Sequence, residues 1–124
     1  PWTNSGAGPH NSSEYANYYG TVRQTNVGGT YPANGYGLND MAGNVWEWCL
    51  DAYEKGFYAR SPQRDPLAIG EGETDGNLMK RMYRVVRGGS WNNYFSALRV
   101  AFRGYQDSSR DYDYNGFRCV CSVV

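Results

Sequence analysis

The chain has 124 residues, enough for one domain, and its 12 acidic and 12 basic residues cancel to a net charge of zero. That balance leaves no charge excess to argue for nucleic acid, an anionic membrane or a strongly acidic partner. With 16 Gly and 12 Tyr and a mean hydropathy of −0.72, the composition describes a loop-rich protein with aromatic anchors and argues against a helical bundle.

No stretch approaches the roughly 18 consecutive apolar residues of a membrane span. The opening "PWTNSGAGPH" has no basic-then-apolar signal pattern. It also lacks an initiator Met, so the chain is expected to begin after processing or inside a longer protein.

Residues 1–35 are dominated by Gly, Asn, Ser, Thr, Pro and Tyr and are expected to form long structured loops, with "SSEYANYYG" the part closest to an ordered element. The section from Met41 to Asp51 should be partly extended. Residues 54–80 mix prolines, glycines and both charges without periodicity and read as a surface excursion. Three short strands are expected after it: "YRVVRGGSW" at 83–91, "ALRVAFRGY" at 97–105 and "GFRCVCSVV" at 116–124. In the second, Leu98, Val100 and Phe102 alternate with Arg99, Ala101 and Arg103, the pattern of a strand with one buried face. "QDSSRDYDYN" lies between the last two as an exposed loop. No amphipathic helix, repeat or heptad is evident.

The three cysteines are Cys49, Cys119 and Cys121. Alternation in the last segment points Cys119 and Cys121 to one face, which makes a bond between them awkward. Cys49 paired with one of them and buried free thiols both remain open.

"GLNDMAGNVWEWC", residues 37–49, carries the densest chemistry. Buried, Asn39, Asp40, Asn44 and Glu47 would each need a partner. Asp40 and Glu47 flank Gly43 and Asn44, and glycine lets backbone carbonyls turn inward. Such an oxygen-rich cage suits a hard cation such as calcium, with six to eight oxygen ligands. The competing reading is a hydrogen-bonded turn with Glu47 paired to an arginine. Arg84, Arg87, Arg99, Arg103 and Arg118 stand on or beside the expected strands, either as an anion site or as ties to carboxylates and carbonyls. Trp46, Trp48 and Trp91 read as core and loop anchors. The single histidine, His10, cannot build a metal triad or a serine-histidine relay alone.

"PANGYGLNDMAGNVWEWC", "YRVVRGGSW" and "GFRCV", in this order, closely resemble the formylglycine-generating enzyme (sulfatase-modifying factor) family, and "PWTNS" and "YANYYG" resemble its middle section. The resemblance covers essentially the whole chain. It implies an α+β architecture, a variant of the C-type lectin fold: a small mixed sheet with long irregular loops and little regular secondary structure. Residues 1–124 then form a single domain that lacks the N-terminal section usual in the family, so a missing segment or a partner chain would complete it.

Residue by residue, the resemblance implies calcium ligands at Asp40, Gly43, Val45 and Glu47. A second calcium site would begin at Asn17 and the carbonyl of Tyr18, but its acidic ligand has no counterpart in "GTVRQTNVGG". Family enzymes hold copper(I) with two cysteine thiolates after "GGS", a choice that suits a soft ion. Here Trp91, Asn92, Asn93 and Tyr94 stand there, and no cysteine precedes Cys119. The related iron-dependent sulfoxide synthases take iron from three histidines on another domain. No catalytic residue is assigned. Cys119 matches a structural cysteine of the family and makes Cys49–Cys119 the candidate disulfide.

The expected function is therefore a calcium-stabilised ligand- or protein-binding module. Its contact surface would be loops 91–96 and 104–115, with Trp91, Asn92, Asn93, Tyr94, Phe95, Tyr105, Asp107, Ser108, Asp111, Tyr112, Asp113 and Tyr114. Tyr, Ser, Asn, Asp and Gly make up such loops, a mixture that antibody paratopes share. Variable proteins of diversity-generating retroelements, which share the fold, carry their diversified residues in this stretch. Ordinary polar loops are the competing reading. Other expectations are part of a larger oxidase whose metal ligands lie elsewhere, and a structural accessory subunit. Calcium and a disulfide would fit a periplasmic or cell-surface setting.

Overall fold

The structure is a computed structural model and describes residues 13–68 and 83–121. Its centre is a four-stranded mixed sheet of β1 (Trp46–Ala52), β2 (Tyr83–Arg87), β3 (Gly104–Asp107) and β4 (Asn115–Gly116). The strand order is β3-β2-β1-β4. β2 pairs antiparallel with both β1 and β3, and β4 runs parallel to β1. No helix of the described residues is long and apolar enough to cross a membrane.

β1 forms because "WEWCLDA" alternates large apolar residues with others, and aromatic residues favour a half-buried pleated surface. Trp46 and Trp48 share one face. Opposite Trp48 lies Val86, and opposite Val86 lies Gly104, so the same face continues across three strands. Val86 is fully buried, and Trp46 and Ala97 complete the centre of the core, with Trp48, Phe102 and Tyr114 packed against it. Gly104 is the residue that lets Trp46 close over β3. A Cβ there would sit 2.9 Å from Val86 Cγ2 and 3.2 Å from Trp46 Cη2. A register shift between Trp48 and Ala52 changes the phase of β1, so Leu50 faces solvent while Ala52 is buried.

Two expected strands are shorter than the sequence suggested. β2 stops at Arg87 because Gly88 and Gly89 adopt left-handed φ of 92° and 74°. Beyond Gly116 the chain leaves the sheet, and Phe117, Cys119 and Val120 are exposed. The alternation of Phe117, Cys119 and Cys121 therefore does not mark a buried face; residues 122–124 lie outside the described residues.

The expected strand at 97–105 is absent over most of its length. Phe95–Leu98 form a 3-10 turn instead. Local bonds take the backbone: Ala97 N–H donates to Tyr94 O and Phe102 N–H to Arg99 O. Leu98 is buried, but Val100 is 64% exposed, so the alternation overstated burial by one residue in three. Only Gly104 and Tyr105 of that segment reach the sheet.

Most of the remaining described chain is turn and loop, as expected for residues up to 35, and the extended stretch expected from Met41 begins only at Trp46. The excursion after β1 carries a short 3-10 turn at Phe57–Ala59 and returns to the sheet at Ala68, whose carbonyl accepts the Ala52 N–H. The motif "PWTNS", His10 and residues 69–80 lie outside the described residues.

Candidate functional site

The loop before β1 is built around close backbone approaches. Gly43 has φ +81°, and a Cβ on it would meet the Asn17 carbonyl oxygen at 2.3 Å, so only glycine fits. Its N–H donates to Gly88 O, and the next N–H, of Asn44, donates to Asn17 O. Asp40 and Asn44 also hold positive φ, 53° and 65°, a conformation Asn and Asp tolerate better than other side chains. The loop is thus seated on Asn17, which is wholly buried.

Every polar side chain of "NDMAGNVWE" that would cost energy if orphaned has a partner. Asn39 donates to Tyr31 O at 2.9 Å. The Asp40 Oδ2 accepts Gly29 N–H at 2.6 Å. Asn44 brackets residue 26, accepting Asn26 N–H and donating to Asn26 O. Glu47 is gripped by Arg118, whose Nε donates to Oε2 at 2.6 Å and whose Nη2 donates to Oε1. The same guanidinium donates to Asn39 O and Asp40 O, each at 3.2 Å. Arg118 therefore gathers four oxygens of the loop. The hydrogen bond to Glu47 raises its pKa further above its already high value, against the lowering effect of partial burial.

The expected calcium ligands can be judged against this arrangement. A carboxylate offers about four acceptor sites; Arg118 uses two of Glu47's, and Gly29 engages one oxygen of Asp40. Asp40, Gly43, Val45 and Glu47 thus retain oxygens that a calcium ion could take, at a net charge that Arg118 makes less negative. By donor type the set is one calcium takes, and the Arg118 charge beside Glu47 makes it less negative.

Asn17 and Tyr18 fit a second ion poorly. Asn17 Oδ1 faces the Thr21 hydroxyl at 2.8 Å, and its Nδ2 donates to Gln24 O and Asn26 Oδ1. Tyr18 O accepts the Thr21 N–H, and residues 17–26 contain no carboxylate. These two residues build the seat for Gly43 and Asn44. Among the described residues, no three His, Cys, Asp or Glu side chains gather as a metal cluster.

The expected contact loops divide into two populations. Asn92, Tyr94, Phe95, Tyr105, Ser108, Asp111 and Asp113 are exposed. Trp91, Asn93, Asp107, Tyr112 and Tyr114 are turned at least partly inward. Trp91 N–H donates to Asn44 O, tying this loop to the Asn17 seat. Asn93 accepts the buried Ser90 hydroxyl at 2.6 Å, and its carbonyl accepts Tyr19 N–H. Asp107 is 5% exposed and caps its own turn, accepting the Ser109 N–H and hydroxyl. Tyr114 packs on the core and lies 5.3 Å from Tyr112, ring to ring. Asp107 is thus a buried cap and Tyr114 a partly buried ring packed on the core, so both carry structural work beside the contact role expected of them.

Tyr105 is separated from Tyr112 and Tyr114, which lead into β4, by the sheet itself, since β3 is one edge and β4 the other. It stacks on Tyr53 at 4.3 Å and meets Tyr83 edge-on at 5.6 Å. Sequence reasoning missed Tyr53, Tyr58 and Tyr83 here, since only the register of β2 and β3 brings them beside Tyr105. It also left open which arginine would face Glu47.

No disulfide joins Cys49 to Cys119. Cys49 is half-buried on β1, and Cys119 lies on the exposed segment after β4. Burial raises the Cys49 pKa, opposed most by the nearby Arg87.

The Sulfatase-modifying factor enzyme 1-like domain matches residues 1–123. Among full-length relatives, the chain is 42% identical to the serine/threonine-protein kinase pkn1 of Chlamydia caviae over 76% of this chain and 14% of that protein. It is 40% identical to the formylglycine-generating enzyme of Streptomyces coelicolor over 73% of this chain and 27% of that one. The chain thus spans well under a third of each. Among solved structures, Treponema denticola variable protein 1 superposes with a TM-score of 0.72 at 28% identity, over 89% of this chain and 37% of that chain. The small mixed sheet, its irregular loops and these matches agree on a C-type-lectin-like fold of the formylglycine-generating-enzyme variant, and the chain belongs to the sulfatase-modifying factor enzyme 1-like domain family.

Proposed function

We propose that this chain is a binding module of its family, stabilised by calcium and lacking the copper cysteine pair, which contacts a protein or small ligand through the exposed part of loops 91–96 and 104–115. The observation that carries this reading is the placement of Tyr94 and Phe95. They are 68% and 51% exposed on a loop whose base is fixed by Ser90, Asn93 and the Tyr19 N–H. Tyr19 lies 5.0 Å from Tyr94, ring to ring, which widens the aromatic surface. Large rings held out by a rigid base give contact area at low entropic cost. The likeness to a variable protein supports the same reading.

Calcium in this proposal is held by Asp40, Gly43, Val45 and Glu47, and it would fix the loop that seats Trp91 and, through it, the contact surface. Weak calcium sites of this kind are typical of extracellular modules, in keeping with a periplasmic or cell-surface setting.

A photo-crosslinking residue in place of Tyr94, compared with the same residue at the 85% exposed Tyr36, tests the surface in cells of the source organism. A discrete adduct from position 94 and none from 36 supports the proposal. Equal labelling from both, or none from 94, removes it. The similarity to the Streptomyces coelicolor enzyme favours one second reading, a fragment of a larger oxidase whose metal ligands lie outside these residues.

A further inference from the structure

Five residues converge on the outer edge at β3 to build one ladder. Tyr58, from the 3-10 turn, lies under the guanidinium of Arg103, whose Cζ is 4.5 Å from the ring centroid. On its other contact, Arg103 lies 5.5 Å from the Tyr53 ring. Tyr53 stacks on Tyr105, and Tyr105 meets the edge of Tyr83. The backbone fixes the order: Tyr53 N–H donates to Tyr83 O at 2.6 Å, and Val85 pairs with Tyr105 across β2 and β3. Tyr58, Tyr83 and Tyr105 remain 71%, 49% and 52% exposed.

Arg103 differs from the other strand-associated arginines. Arg118 is satisfied by Glu47, and Arg84, Arg87 and Arg99 donate to the carbonyls of Leu50, Val100 and Ser96. Among the described residues, Arg103 meets neither a carboxylate nor a hydrogen-bond acceptor, only rings. Cation–π contact uses the face of a guanidinium and leaves the N–H donors of its rim in a planar fork. That fork matches the two oxygens of a carboxylate or phosphate. A guanidinium held half-buried by rings, with its donors unspent on the fold, is the arrangement such a ligand needs.

We propose that Arg103, clamped by Tyr53 and Tyr58, is a recognition site for a carboxylate or phosphate oxyanion carried on an aromatic or apolar body, which rests on Tyr58 and Tyr105. Arg87 and the carboxylates of Asp51 and Glu47 all act on the nearby Cys49 thiol, so recognition rests on the Arg103 fork rather than on net local charge. The site is separate from the Tyr94 surface and shares only Tyr105 with the loops proposed as contacts, so either can fail without the other.

The test is titration of the full chain, 15N-labelled at arginine, with benzoate, phenyl phosphate and inorganic phosphate, following the Arg103 Nε–H signal and the tyrosine ring signals. The expected result is a saturable shift at Arg103 with Kd of about 1 mM for benzoate or phenyl phosphate, with the Tyr58 and Tyr105 rings moving in step. Whichever of the two binds tighter identifies the oxyanion source. Arg103→Lys should keep the charge but weaken binding at least about tenfold, for lack of the fork. Arg103→Gln should abolish the ring shifts while its one-dimensional spectrum stays folded. Linear, unsaturated shifts in the wild-type chain overturn the proposal without any variant. So does inorganic phosphate binding as tightly as phenyl phosphate with no ring shift, or an undiminished response in Arg103→Gln.

Discussion

Arg118 and Glu47, 71 residues apart in sequence, meet in a two-point ion pair that ties the segment after β4 to the start of β1. Bidentate guanidinium–carboxylate pairs combine charge with fixed geometry, and this one also collects the Asn39 and Asp40 carbonyls. Both side chains are partly exposed, 33% and 20%, so solvent screening trims its value. A double-mutant cycle with Arg118→Met and Glu47→Gln should give a coupling energy of about 1 kcal/mol by urea unfolding. A coupling of zero would mean that the pair is ornamental. Because the pair raises the Arg118 pKa, the arginine's part of the linkage is complete below its unfolded pKa and is lost as pH rises through the folded value, in strong alkali.

Glycine at position 43 is required for two reasons that add, a left-handed φ and a Cβ position only 2.3 Å from Asn17 O. Gly43→Ala should cost about 3 kcal/mol or more. Gly20, at φ +97° with open space around it, isolates the conformational part, and Gly20→Ala should cost about 1 kcal/mol. Equal losses at the two positions in chemical unfolding would refute the close approach of Gly43 to Asn17.

Tyr114 and Tyr94 belong to the same expected surface yet differ in depth. Tyr114→Ala removes a partly buried ring packed against the cluster of Trp46, Val86 and Ala97 and should cost about 2 kcal/mol. Tyr94→Ala should change stability by less than about 0.5 kcal/mol and act on binding alone. Tyr105, on the exposed edge of the sheet, should tolerate removal better than Tyr114. Thermal melts of the two single variants separate the cases.

The fold family and the start of the sheet were legible in the sequence because they are local. "NVWEWC" alternates cleanly, and "YRVV" marks the strand at 83, although the expected strand ran through the two glycines that end it at Arg87. What escaped is non-local. Leu98, Val100 and Phe102 alternate like a strand, but Gly89 admits Leu98 so closely, at 2.7 Å from an ideal Cβ, that the chain folds into a turn there. The cage at Asp40 and Glu47 could be read as oxygen donors, and a pairing of Glu47 with an arginine was open. That the arginine is Arg118 depends on the parallel pairing of β4 with β1, which no local pattern reveals. The Tyr53–Tyr105 stack depends in the same way on strand register.

Burial raises the Cys49 pKa, so Cys49 stays a thiol at neutral pH and should alkylate more slowly with iodoacetamide than the exposed Cys119. The folded-state pKa lies above the unfolded one, so the stabilising contribution of protonated Cys49 is complete below the unfolded value of 9.0 and is lost as pH rises through the folded value. Peptide mapping after timed alkylation at pH near 7 checks the order. Faster labelling of Cys49 would contradict its placement on β1.

Calcium at Asp40, Gly43, Val45 and Glu47 should raise the melting temperature, and Arg118→Met should tighten calcium binding by removing the competing positive charge even as it weakens the apo fold. Calcium titrations followed by thermal denaturation, with magnesium as the control, read both effects. No shift with calcium in either protein would remove the ion from the account.

Native mass spectrometry of the protein isolated from its source, with metal analysis of the same sample, tests the central claim most directly. The account predicts calcium bound, neither copper nor iron, and a noncovalent partner or ligand that is lost when Tyr94 is replaced by alanine. Copper or iron in stoichiometric amount would contradict it and make the chain part of an oxidase.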